Sequence, residues 1–446
     1  MVGSKIHKSE SLGLAGKIYI TILLVIFGGV ILHTPLSVGF STLWPNYELL
    51  IKSWKEIMML VAGIMALFLI YKNRKFKILQ SPTIIAIVIY AALHLVLSFY
   101  MSQGWTAWAA GLAIDLRYLL FFGLVYIALR LFPAQRKLFI TVGIAGALIA
   151  LIFALMQVFI LPNDVLKCIG YNLDTISPYL TIDKNPAFIR INGTFRGPNP
   201  LGAYAGIVLT ILVAAIAKKK INSLYSEDKW QLIIVAILSA GGLVALWASY
   251  SRSALIGTAI SISIVLAVTT WRKLSTEKWI TIGILMILVF GGLFLARDTS
   301  FISNVILHEN PSGGSSISSN EGHASSLDDG FNHLIHQPLG GGIGSTGSAS
   351  IIGNKAVIIE NQYLFINHEI GWLGLAIFMY IFVSILLGLW SLRRDWLALG
   401  IFAGGIGLAI IGILLPVWTD DAVSIIWWGL AAVALGAPTG RRTHDE

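Results

Sequence analysis

The sequence predicts an all-α polytopic membrane protein with about twelve transmembrane helices and a large external loop before the tenth. Three observations carry that expectation. Hydrophobic residues make up 56% of the 446-residue chain and charged residues only 12%, with a mean hydropathy of +0.80, a balance no soluble surface of this size tolerates. Apolar runs long enough to cross roughly 30 Å of hydrocarbon recur along the chain. Lysine and arginine concentrate in alternate connectors between those runs. The formal net charge of +9 therefore reflects where cations sit relative to a bilayer, and is no sign of nucleic-acid binding.

The N-terminus, MVGSKIHKSESLGLAGK, is basic and precedes an apolar run too long for the core of a signal peptide, with no clear small-residue cleavage site. It reads as a retained first anchor. Crossings are expected near 18–38, 56–71, 83–101, 113–131, 138–161, 200–217, 231–249, 254–270, 279–296, 363–390, 397–416 and 424–437, the second and the last being short. Lys72, Arg74, Lys75 and Lys77 follow the second, Arg130, Arg136 and Lys137 the fourth, and Lys218 to Lys220 the sixth. Arg272, Lys273, Lys278, Arg393, Arg394, Arg441 and Arg442 continue the series, which places these turns and both termini in the cytoplasm.

The opposite connectors differ in kind. Residues 39–55 carry Trp44, Tyr47 and Trp54, which suit headgroup depth. Residues 161–199 and 297–362 are long and rich in Gly, Ser, Asn and Pro, as external loops are. The chain thus reads as one integral-membrane domain, 1–446, whose loop 297–362 contributes to a site, with the Gly/Ser-rich run PSGGSSISSNEGHASS as a flexible cover. The single cysteine, Cys168, excludes an intrachain disulfide framework. His333 and His336 have a ligand-compatible spacing, but no Cys or carboxylate set completes a metal pattern, so neither metal nor cofactor is expected.

Polar residues at that side supply the candidates. In FIRINGTFRGPNPLGAYAG, Arg190 and Arg196 flank a glycine-bearing turn, and Asn199 and Pro200 open a helix. Guanidinium groups beside a helix start favour phosphate, either of a substrate or of a lipid headgroup. WASYSRSALIG carries Arg252 at the apolar boundary, a depth at which a cation faces the bundle interior with a partner or snorkels to headgroups. In AIDLRYLLFF, Asp115 and Arg117 are two apart, do not face each other, and each need a partner on another helix. Lys55 and Glu56 read as interface anchors, and His368 and Glu369 as interhelical contacts. Glu360, in ENQYLFINHEIGWLG, stands where the loop gives way to an apolar helix.

These segments resemble the bacterial O-antigen ligase and polymerase superfamily, membrane glycosyltransferases that use lipid-pyrophosphate-linked glycans. RINGTFRGPNPLGAYAG is similar to the family's arginine followed by GTF and PN; SRSALIG to its short arginine-bearing turn, with Ile256 where the family has Leu; PLGGGIGSTG to its glycine-rich segment. In the ligase signature, a His, then Asn, Ser or Gln, nine residues, Gly, two residues and then Gly, Thr or Tyr, Asn361, Gly371 and Gly374 fit, while Glu360 occupies the histidine's place. The resemblance implies a GT-C-like, inverting, metal-independent enzyme at the outer face of the cytoplasmic membrane. Its donor would be a glycan on a polyprenyl pyrophosphate such as undecaprenyl pyrophosphate, and its acceptor a glycan, glycolipid or protein. Arg190 and Arg252 would stabilise the leaving pyrophosphate, Glu360 would serve as base, and Arg196, Asn199 and Asn361 would contact substrate. Loop 297–362 would act as a lid, with Gly340 to Gly342 letting it move. Loss of the histidine favours a surface-polysaccharide polymerase over a ligase. The alternative is a flippase for the same lipid-linked glycans, although transporters place their charges nearer the midplane.

Overall fold

A computed structural model describes residues 12–100, 103–182, 185–218, 229–270, 319–353 and 357–437. The expected crossing 279–296 lies outside them, as do His308 and the connector cations Lys219, Lys220, Arg272, Lys273, Lys278, Arg441 and Arg442. Among the described residues, nine helices are long and apolar enough to cross a membrane, so the chain is an all-α polytopic membrane protein.

The first crossing, 14–43, is broken into α1 (Leu14–Gly29) and α2 (His33–Leu43) by a 3-10 turn at Val30–Leu32. Pro35 explains the break: it has no N–H for the carbonyl one turn back and is tolerated only in the first turn of α2. Next come α3 (Trp54–Lys72), α4 (Pro82–Tyr100), α5 (Trp105–Leu131) and α6 (Arg136–Phe159). Proline opens α4, where the missing N–H has no intrahelical partner to lose. The connector 161–199, expected as loop, contains an antiparallel pair, β1 (Tyr179–Ile182) and β2 (Asn185–Ile191), with Leu180 opposite Arg190. Helices α7 (Pro198–Ala217), α8 (Lys229–Ala248) and α9 (Arg252–Thr270) follow.

Loop 297–362 carries helices in its described part, and the described residues 319–326 of the run read as a flexible cover begin the first of them. It holds α10 (Ser319–His336) and the short α11 (Gly347–Ile352), and leads into α12 (Gln362–Ser391). The eleventh and twelfth expected crossings are α13 (Trp396–Ile411) and α14 (Asp421–Gly436), 16 residues each. At 1.5 Å per residue each is about 24 Å long, short of the roughly 30 Å of hydrocarbon. Helix α14 is short because it is an inner helix: 14 of its 16 residues are buried. Trp427 and Trp428 stand with ring centroids 5.1 Å apart, and Trp428 lies 5.2 Å from Tyr118 of α5 and 5.6 Å from Trp418.

Without a hydrophobic drive between helices inside a bilayer, contact depends on close approach and polar links. Gly257 of α9 lies against Gly407 and Ile411 of α13, and Ser261 donates across the same interface to the Ala403 carbonyl at 2.9 Å. At one end of the bundle Arg136 makes a two-pronged contact with Asp395 at 2.9 and 3.0 Å, tying the starts of α6 and α13. The opposite end carries α10, α11 and all the candidate residues, and is called the loop end below.

The alternating basic connectors are the ground for expecting the loop end outside. Single cysteines at Ser325 and Ser391, both exposed, in a Cys168→Ser background report on that assignment. Impermeant thiol reagent on intact cells should modify the first and spare the second; the reverse pattern inverts the topology.

Candidate functional site

Two of the predicted arginines meet through their supports. Arg190, near the end of β2, donates from Nε to the Ser249 carbonyl at 2.9 Å and from a terminal nitrogen to Asn199 Oδ1 at 2.6 Å. Ser249 ends α8, and the turn to α9 is so tight that Tyr250 takes φ 47°, a left-handed conformation that costs a non-glycine residue strain. Ser251 N–H, donating to Ser249 Oγ at 3.2 Å, braces that turn just before Arg252. Gly202 of α7 completes the junction, since a Cβ there would lie 2.6 Å from Ser249 Oγ and 2.9 Å from Ala254 Cβ. Arg190, Asn199 and the start of α9 are therefore one structural unit. Pro198 and Pro200 leave the first turn of α7 short of N–H groups, so the guanidinium is the stronger anion donor at that helix start.

Helix α13 links this unit to Glu360. Beyond the Gly257–Gly407 contact, its end gives the Gly412 carbonyl to Gln362 N–H at 2.7 Å and the Ile413 carbonyl to Asn361 Nδ2 at 2.7 Å. Asn361 Oδ1 also caps α12, accepting from Tyr363 and Leu364 N–H at 2.9 and 3.0 Å. Its amide thus starts the helix, a positioning role. Asn199 likewise orients Arg190. Glu360, half-buried, precedes the cap, and its N–H donates to Ser326 Oγ of α10 at 2.6 Å. The cover helix is thereby tied to the residue expected as base. Arg196 is exposed, and its charge is felt at Asp420, the N-cap of α14. Burial pushes the Asp420 carboxyl up, against the pull of the Val423 N–H, Arg117 and Arg196.

Beside Asp420 lies an ion cluster. Asp421 Oδ2 receives Lys55 Nζ at 2.7 Å and His33 Nε2 at 2.9 Å, while Arg117 takes Oδ1 and the Thr419 carbonyl. Glu56 adds a contact to Lys55 at 3.2 Å. Trp54 Nε1 donates to His33 Nδ1 at 3.0 Å, which assigns the imidazole proton to Nε2, facing Asp421. Lys55 is only 2% exposed, so it is bundle interior and not the interface anchor the sequence suggested, with Glu56 half-buried beside it. Arg117 found its partner on another helix, as its spacing required. His33, Asp420 and Asp421 went unrecognised in the sequence, although TDDAVS offers two carboxylates at the mouth of an apolar run, the signal used for Glu360.

Helix α12 breaks two turns further in, at Gly371 (φ 67°, ψ −171°), a conformation only glycine adopts cheaply. The segment PLGGGIGSTG wraps this break with Gly340, Gly342, Gly344 and Gly347 all at positive φ. Trp372 N–H donates to the Pro338 carbonyl at 2.9 Å, Gly341 N–H to His368 O at 2.5 Å and Gly342 N–H to Glu369 O at 3.2 Å. Gly340 to Gly342 are therefore docked against α12 in this structure. His368 contacts His333 of α10 edge-on, centroids 4.5 Å apart. Among the described residues no group of three or more His, Cys, Asp or Glu is arranged to hold a metal ion.

Comparison of the chain with protein-family models and with curated proteins finds no match to either.

The Asp421 cluster predicts a stability effect separate from chemistry. Asp421→Ala strands Lys55 and Arg117 in the interior and should cost about 3–5 kcal/mol, whereas Arg196→Ala at the exposed rim should change stability by less than about 0.5 kcal/mol. Thermal unfolding in detergent compares the two; equal losses would remove Asp421 as the organising charge.

Proposed function

We propose that the protein is a GT-C-like membrane glycosyltransferase with twelve crossings, acting at the outer face of a bacterial cytoplasmic membrane. It moves a glycan from a polyprenyl pyrophosphate, such as undecaprenyl pyrophosphate, to an acceptor hydroxyl, as a surface-polysaccharide polymerase or ligase of the O-antigen type. The observation that carries the reading is the pre-set Arg190 guanidinium, fixed by the Ser249 carbonyl and Asn199 beside the turn that starts with Arg252. A guanidinium oriented by the Ser249 carbonyl and Asn199 at a helix junction is suited to a doubly charged leaving group, and needs little reorganisation as charge develops there. Asn361 and Ser326 hold the Glu360 backbone at the same end of the bundle.

In the step proposed, the acceptor O–H gives its proton to the Glu360 carboxylate as its oxygen attacks the anomeric carbon. The bond from that carbon to the pyrophosphate oxygen breaks, and the electron pair leaves with the pyrophosphate, toward Arg190 and Arg252. Displacement on one line inverts the anomeric configuration. Arg196, at the exposed rim, is placed for the donor's glycan or phosphate.

The flippase reading keeps one observation in its favour: α12 is broken at Gly371 next to the buried Glu369, and broken helices with inward carboxylates are common in transporters. Purified protein incubated with lipid-linked repeat units separates the two. A transferase yields longer or transferred glycan plus free polyprenyl pyrophosphate; a flippase yields neither.

Within the transferase reading, Arg190→Ala or Arg252→Ala should abolish transfer while the folded protein persists, and Lys should rescue only in part because it lacks the planar fork. Glu360→Gln should lower turnover by about two to four orders of magnitude with donor binding retained. Normal turnover in Glu360→Gln removes Glu360 as the base.

A further inference from the structure

The half of the bundle away from the loop end holds an apolar cleft that the proposed transfer does not use. Helices α6 and α8 meet where Gly241 lies against Leu151, a Cβ at that glycine standing 2.8 Å from Leu151 Cβ, and Gly242 sits as closely on Leu209 of α7. Beyond that contact, toward the end tied by Arg136 and Asp395, α6 and α8 draw apart. They leave a cavity of about 370 Å³, walled by Ile144 and Ala147 of α6 and by Ile234 and Leu238 of α8, with α7 as its floor. Ile144 is exposed, so the cleft opens sideways toward the bilayer.

The shape suits one hydrocarbon chain. The floor runs along α7 from Ala215 to Tyr204, about 16 Å of helix, which is one leaflet of the roughly 30 Å of hydrocarbon. Around the cleft only Tyr204, Gln231 and Trp396 carry a polar side-chain atom, so water finds few partners there. A helix of a second copy, about 10 Å wide, is too thick to enter. The mouth is basic. Exposed Lys137 lies one turn before Ile140 of the lining, Lys218 one turn after Ala215, and exposed Arg394 two residues before Trp396. The neighbouring acid, Asp395, receives Arg136.

We propose that this cleft binds one acyl chain of an anionic diacyl phospholipid, with the headgroup phosphate against Lys137, Lys218 and Arg394. Chain and charge are then matched at once, the apolar walls taking the tail and the basic rim taking the phosphate. The lipid belongs to the leaflet away from the loop end, the cytoplasmic one by the basic connectors, whose surface is negatively charged. The donor of the proposed transfer anchors its pyrophosphate at Arg190, in the opposite leaflet, and is not the occupant.

Photolabelling tests the site. The full-length protein in detergent, stripped of bound lipid, is given phosphatidylglycerol with a diazirine at mid-chain, and the adducts are mapped by mass spectrometry. They should fall on 140–147 of α6 and 231–238 of α8, and unlabelled phosphatidylglycerol should displace the probe at about one tenth of the concentration needed with phosphatidylcholine. Lys137→Gln combined with Arg394→Gln, both at exposed positions, should reduce that preference, and Ala147→Phe should fill the cleft and remove its adducts. Adducts spread evenly over the lipid-facing helices overturn the proposal, whether or not the filled variant folds. So do equal displacement by the two lipids and an unchanged preference in the double variant. Stronger displacement by undecaprenyl phosphate assigns the cleft to the donor's chain, and protection confined to a dimeric fraction assigns it to a second copy; either overturns the proposal.

Discussion

Asp421 sets the arrangement of the loop end. Its one carboxylate receives Lys55 from α3, Arg117 from α5 and His33 from α2. Each of those groups is costly to bury alone, and a shared acceptor converts three costs into one structure. Because Asp421 is the first residue of α14, the same contacts fix the height of that helix in the bundle, and so place Trp427 and Trp428 among Tyr118, Phe378 and Phe382. A short inner helix would otherwise be free to slide along its apolar neighbours. The charge cluster supplies register that a greasy interface lacks.

The second constraint is the break in α12. A continuous helix through Gly371 would satisfy its own backbone and leave no N–H for Pro338, so the loop would have no seat. With the break, the loop closes on the helix through main-chain groups, and four glycines at positive φ let successive N–H groups point inward. The sequence departs from helical regularity at the place where the connecting segment must be held against a membrane helix.

Most crossings were legible because length and apolarity alone decide them, and α1 to α9 fall where those runs lie. The partners of the charges were harder to read. Arg117 and Asp115 could be said to need other helices, but which helix depends on packing that a sequence does not display. Lys55 was misplaced because a lysine at the start of a span snorkels outward unless a buried carboxylate waits for it, and that carboxylate is 366 residues away at Asp421. Helix α10 was hidden by its Ser and Gly content, yet Leu327, Phe331, Leu334 and Ile335 recur at helical spacing. The hairpin bearing Arg190 gave no alternation to detect.

Burial separates the charges that hold the loop end together from those that keep a face to solvent. Lys55, Arg117 and Glu369 are 2%, 6% and 1% exposed, and their contacts lie within the bundle. Arg190, Arg252 and Glu360 are half-buried and Arg196 is exposed. A group that only glues helices gains from complete desolvation once paired, because water weakens the pairing. A group that must exchange one anion for another has to keep a path to solvent. By that criterion Arg190, Arg252 and Glu360 keep a contact with solvent that Lys55, Arg117 and Glu369 lack, and the Asp421 cluster is the buried frame beside them.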